Sequence, residues 1–192
     1  MRLLLALITT VMLAGNLSGC APVVAGGAAA GGLMAADRRT SGAYVEDQGI
    51  EIKAESRISE KLGDKIHVNV TSFNRNVLIT GEAIDENTKQ TAESIVKNIE
   101  NVRSVTNDLI IAGASSMSSR SNDSYLTSKV KTRMVTENRF PANYVKVVTE
   151  NSTVYLMGMV TRQEADDAVE IARGTDGVQK VVKVFEYVVV AE

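Results

Sequence analysis

Few side chains in this 192-residue sequence could do chemistry of their own. His67 is the only histidine and Cys20 the only cysteine, so composition alone argues against a zinc set built from imidazoles and thiolates or a Ser/His/Asp relay. Strand alternation places His67 opposite the valines around it, on the exposed side. Acidic clusters stand at Asp85-Glu86 and at Glu164, Asp166, Asp167 and Glu170. Such clusters could hold a divalent cation or form an acid/base pair. Each falls where a helix begins, however, and carboxylates are favoured there by the helix dipole. Gly26-Gly27 and Gly31-Gly32 do not form the GxGxxG turn that cradles a dinucleotide. The sequence therefore predicts no catalytic residue, no metal and no cofactor.

Cys20 has a different chemistry. The chain opens with Arg2, runs through apolar Leu3 to Leu13 broken by Thr9 and Thr10, and reaches Leu17-Ser18-Gly19-Cys20. Residues 1–19 are a secretory signal, too short and wrongly flanked to span a bilayer. The four residues ending at Cys20 resemble the bacterial lipobox, whose cysteine thiol is diacylated before cleavage and whose new amino terminus is then acylated. That likeness implies a covalent lipid on Cys20. One acyl chain anchors marginally and two or more anchor stably, at ~0.8 kcal/mol per buried methylene. By resemblance to bacterial lipoproteins, Ala21 in place of an aspartate implies the outer membrane, facing the periplasm.

The third group is basic. Residues 124–136 hold Lys129, Lys131 and Arg133 without an acid, interleaved with Tyr125, Ser128, Thr132 and Val135. On a helix with Leu126, Val130 and Met134 toward the core, the tyrosine, serine and threonine lie opposite, with the cations and Val135 beside them. Tyrosine suits the headgroup level of a bilayer, and each basic residue near an anionic surface contributes ~1 kcal/mol. The expected ligand is anionic phospholipid, contacted by these seven residues. The competing explanation is a solvated helix whose charge is balanced by the acidic second helix of the same unit.

The elements that must position these residues come in two copies. Asn74 to Ala83 returns 77 residues later as Asn151 to Val160. In the first copy Ile50, Ala54, Ile58 and Leu62 recur at four-residue steps, and Gly63 ends that helix. Ile66, Val68 and Val70, then Val77 and Ile79 after an Asn74-Arg75-Asn76 turn, predict a hairpin of half-buried strands. Ala92, Ile95, Val96 and Ile99 mark a second helix, and Val105, Asn107, Leu109 and Ile111 a last strand. In the second copy Leu126, Val130 and Met134 repeat the stripe of Ala54, Ile58 and Leu62. That register leaves about five extra residues near Glu137 to Asn143. Residues 20–47, rich in Gly and Ala, read as a flexible tether or a small-residue helix at the membrane, and residues 113–123, rich in Ser, as a linker.

Val77-x-Ile79-x-Gly81 and Val154-x-Leu156-x-Gly158, each followed by a helix and a Val-x-x-Val approach to a final strand, resemble the BON domain. With the lipobox, the chain is similar to dual-BON outer-membrane lipoproteins. The resemblance implies an α+β fold of two tandem αββαβ units at 48–112 and 124–191, each a three-stranded mixed sheet against two helices. Gly81 and Gly158 are expected to be structural, providing positive φ or close approach of the neighbouring helix where a strand leaves the sheet. The resemblance also implies phospholipid attachment through the second unit and envelope integrity, including at the division site, rather than turnover. A scaffold for envelope proteins, such as cell-wall hydrolysis regulators or assembly factors, is the alternative; the near-neutral first helix, with Lys53 and Arg57 among its charges, fits it. Once Arg2 leaves with the signal, 20 basic side chains face 23 acidic ones, a balance that offers no field for nucleic acid.

Overall fold

The computed structural model describes residues 37–189. The first half comprises α1 (Ser41–Leu62), β1 (Ile66–Phe73), β2 (Asn76–Ala83), α2 (Glu86–Lys97) and a last strand broken into β3 (Ser104–Asn107) and β4 (Ile110–Ile111). The second comprises α3 (Met117–Glu137), β5 (Val145–Glu150), β6 (Thr153–Val160), α4 (Arg162–Arg173) and β7 (Lys180–Tyr187). In each sheet the central strand, β2 or β6, pairs antiparallel with the strand before it and parallel with the strand after it. The expected α+β architecture of two mixed sheets is thus the observed one, and each sheet packs one face against its own two helices.

Both hairpins turn through two residues in left-handed conformation, Asn74 and Arg75 (φ 50° and 66°) and Asn151 and Ser152 (φ 52° and 59°). That is the backbone of a type I′ turn, whose twist matches the strands. Neither turn contains glycine, so something else must hold it. In the first copy the buried Asp47 carboxylate accepts from the Asn74 and Arg75 amides at 2.8 and 2.7 Å. In the second, Asp123 accepts from the Asn151 and Ser152 amides at 2.9 and 2.8 Å. Each first helix therefore clamps its own hairpin.

These aspartates correct the repeat register. Asp47, Ile50, Ala54 and Ile58 are the buried residues of α1, and Asp123, Leu126, Val130 and Met134 those of α3, an offset of 76. The strands are offset by 77, since Val68 faces Gly81 and Val145 faces Gly158. The expected match of Leu126 to Ala54 is one turn out, and about five extra residues shrink to one. Both helices also start earlier than expected. Residues 41–47, assigned to the tether, open α1 behind a Thr40 cap, and residues 117–123, assigned to the linker, open α3 behind a Ser116 cap. Their only buried side chain is an aspartate, so no apolar period announces them. The signal at 1–19, Cys20 and the tether up to residue 36 lie outside the described residues.

The hairpins are not half-buried. Val77, Leu78 and Ile79 are all buried, as are Val154, Tyr155, Leu156 and Met157. Such continuous runs mark strands covered on both faces. The faces turned from the helices meet each other, where Phe73, Leu78, Tyr155 and Met157 form a third core with Val148, Met159, Val182 and Val184. The two domains therefore share a core.

Gly81 and Gly158 lie within β2 and β6 and not beyond the strand. A Cβ on Gly81, at φ 116°, would stand 2.1 Å from the His67 carbonyl oxygen, and one on Gly158 would stand 2.4 Å from that of Tyr144. The close neighbour is backbone at the start of the preceding strand, not the expected helix.

Candidate functional site

α3 carries the proposed lipid face. Its buried stripe points Tyr125 and Val135 outward, 62% and 65% exposed, and Ser128, Lys131 and Thr132 are exposed with them. Lys129 is half-buried: its ammonium donates to the Asp176 carbonyl at 2.9 Å and lies 5.6 Å from the centre of the Tyr125 ring. That is within range of a cation–π attraction. Lys131 has no ion-pair partner among the described residues.

Arg133 differs from the sequence reading. Its guanidinium donates to Glu137 at 3.0 and 2.6 Å, to the Ile171 carbonyl at 3.1 Å and to Thr175 Oγ at 3.2 Å. It ties α3 to the end of α4, and the acid that neutralises it sits one residue beyond the acid-free window. Three of the four carboxylates of α4 have partners of their own. Asp167 and Glu170 face Arg139 at 3.6 and 2.8 Å, while Glu164 accepts a two-pronged bond from Arg38 at 2.6 and 2.8 Å. None of these three carboxylates pairs directly with Lys129 or Lys131.

With the register corrected, α1 and α3 compare position by position. Lys53 matches Lys129 and Arg57 matches Arg133, so two of the three cations are shared by both copies. The differences lie elsewhere: Gly49 becomes Tyr125, Glu55 becomes Lys131, and Glu51 and Glu60 become Thr127 and Thr136.

A second cluster lies between the sheets. His67 Nδ1 stands 2.8 Å from Glu82 Oε2, and Arg120 approaches His67 Nε2 at 3.3 Å. Across the seam, Asn69 donates to Glu150 at 2.7 Å. Glu82 and Glu150 are 3% and 6% exposed. Burial, with the neighbouring Glu82 and Asp123 charges, pushes the Glu150 carboxyl above its usual range against the hydrogen bond from Asn69. His67 is thus not the exposed histidine that alternation implied. The strand face it occupies is covered by the other domain.

The start of α1 is also held across the seam. Arg38 donates to the Met159 carbonyl at 2.9 Å and stacks 3.9 Å from the Tyr144 ring, while Arg39 pairs with Asp47 at 2.9 Å and stacks 4.0 Å from Phe73. Despite the cost of burial, Arg38 and the Thr161 amide hold Glu164 below the ordinary carboxylate range. Composition gave Arg38 and Arg39 no such role.

Known proteins of the same kind agree with this architecture. The BON domain family model matches residues 50–113 and 122–188. The outer membrane lipoprotein DolP of Haemophilus influenzae is 38% identical over 173 residues, covering 89% of this chain and 90% of that protein. The 21 kDa hemolysin of Actinobacillus pleuropneumoniae is 31% identical over 154 residues, 79% of each chain. The osmotically-inducible protein Y of Escherichia coli is 27% identical over 144 residues, 73% of this chain and 72% of its own. Among the described residues no helix is long and apolar enough to cross a membrane. With two matched domains and a lipoprotein relative aligned over most of both lengths, this chain belongs to the BON-domain family as an envelope-associated outer-membrane lipoprotein.

Proposed function

We propose that the protein, lipidated at Cys20, binds anionic phospholipid bilayers through the exposed face of α3 and supports envelope integrity without catalysing a reaction. The carrying observation is Lys131, exposed and without an acidic partner among the described residues, on the same helix as exposed Tyr125 and Val135, where α1 has Glu55, Gly49 and Ser59. Lys129 completes the contact by exchanging its bond to the Asp176 carbonyl for a phosphate. Ser128 and Thr132 add hydroxyl donors on the same face. Arg133 contributes chiefly by holding α3 on α4, not as a free cation. Action at the division site rests on the family likeness alone.

Two lysines at ~1 kcal/mol each give a weak contact, sufficient for a domain already confined near a bilayer by its anchor. In the protein carrying Cys20→Ser, Lys129→Glu with Lys131→Glu should reduce flotation with phosphatidylglycerol vesicles at least ~30-fold and leave the circular dichroism unchanged. Binding that survives both reversals would remove α3 as the lipid face. A scaffold role has separate support in α1, where Val45 and Ile52 stand 66% and 67% exposed. Crosslinking from Lys53 to one stoichiometric envelope protein would favour that reading.

A further inference from the structure

We infer that the seam where His67 and Glu82 of the first domain meet Glu150 of the second is a divalent-metal site, best suited to zinc. One ligand atom from each of the three residues lies within 4.8 Å of the others. An imidazole nitrogen with two carboxylate oxygens is a donor set zinc accepts, and the imidazole disfavours magnesium and calcium.

Burial supplies the second reason. Glu82 is almost wholly enclosed, its Oε2 meets His67, and its Oε1 has no hydrogen-bond partner. A buried carboxylate oxygen left without a partner is costly, and a cation shared with Glu150 would satisfy it.

The duplication supplies the third. Asn69 meets Glu150, while Lys146 meets the Ser72 carbonyl at 3.4 Å, so the start of each first strand crosses the end of the other. The seam consequently has two equivalent ends. At the strand offset of 77, His67, Glu82 and Glu150 correspond to Tyr144, Met159 and Phe73. The fold is satisfied by two aromatic rings and a thioether at these positions, so packing does not demand an imidazole and two carboxylates.

Arg120 is the opposing charge. A guanidinium can only donate, so in this arrangement Nε2 is the accepting nitrogen and Nδ1 is the one that faces Glu82. With a metal on Nδ1 the ring proton sits on Nε2, which cannot accept from Arg120, and the guanidinium must turn away. Arg120 therefore competes with the metal.

The test is calorimetric titration of zinc chloride into the untagged, chelator-stripped full-length protein in detergent, with unfolding midpoints measured in parallel. One saturating equivalent per chain and a raised midpoint are expected. Glu150→Gln keeps an acceptor for Asn69 but should weaken zinc by at least the ~10–100-fold that losing an outer-shell partner costs. The triple substitution His67→Tyr, Glu82→Met and Glu150→Phe, copying the opposite end of the seam, should fold and show no saturating phase. Arg120→Ala should tighten binding several-fold, an outcome general destabilisation does not produce. No one-to-one phase in the parent, a phase unchanged by Glu150→Gln, or weaker binding in Arg120→Ala would each overturn the site.

Discussion

α1 and α3 share every buried position at one offset and differ on the face that packing leaves free. Ile50, Ala54 and Ile58 became Leu126, Val130 and Met134, exchanges that keep a core filled. Gly49 and Glu55 against Tyr125 and Lys131 are exchanges of chemistry. The seam repeats the lesson: aromatic rings and a thioether at one end, an imidazole and two carboxylates at the other. The two copies thus keep the cores beneath their helices and diverge on the open helix face and where the two domains meet.

The sharpest way to break this comparison is at the paired glycines. A Cβ at either position overlaps a backbone carbonyl at the start of the preceding strand, which cannot yield as a side chain can. Gly158→Ala should cost ~3 kcal/mol or more in urea unfolding. Gly81→Ala should cost a further ~1–2 kcal/mol because its φ of 116° is forbidden to alanine as well. Equal losses would show that close approach alone accounts for both glycines.

The paired aspartates come next. Asp47 accepts from Ser72 Oγ, two turn amides and Arg39, whereas Asp123 accepts from two turn amides. Asp47→Ala should cost ~3–4 kcal/mol and Asp123→Ala ~2–3 kcal/mol, at ~1–3 kcal/mol per orphaned buried group. Thermal unfolding of the two variants measures the difference.

The smallest effect belongs to a contact present in one copy only. Arg38→Ala should cost on the order of 1 kcal/mol at pH 7. Because Glu164 titrates below its unfolded value of 4.5, the stability it contributes is complete above that value and is lost as pH falls through the depressed one. The variant's acid limb should therefore be flatter than the parent's between pH 5 and 3, and a parallel limb would exclude Arg38 as the cause.

Much of this was legible in sequence. Regular four-residue steps gave the helices, alternation gave the hairpins, and the second copy of Asn74 to Ala83 gave the duplication. What escaped was set by the contact between copies. Leu78, Tyr155 and Met157 interrupt the alternation because a second sheet covers them, and reading the strands as half-buried discarded that signal. The helix starts escaped because an aspartate, not an apolar residue, is what they bury. Of the proposed lipid face, Tyr125, Ser128, Lys131, Thr132 and Val135 lie on the open surface as their helical phase required. Arg133 is drawn inward instead, since its partners Glu137, Ile171 and Thr175 lie beyond residues 124–136.

Arg38 has a mechanical meaning as well. It precedes the first helix of the first domain, yet it grips the Tyr144 ring, the Met159 carbonyl and Glu164, all of the second domain. Tension arriving from the amino-terminal side passes into that domain before it reaches α1. The domain that comes last in sequence is therefore the first to bear that load.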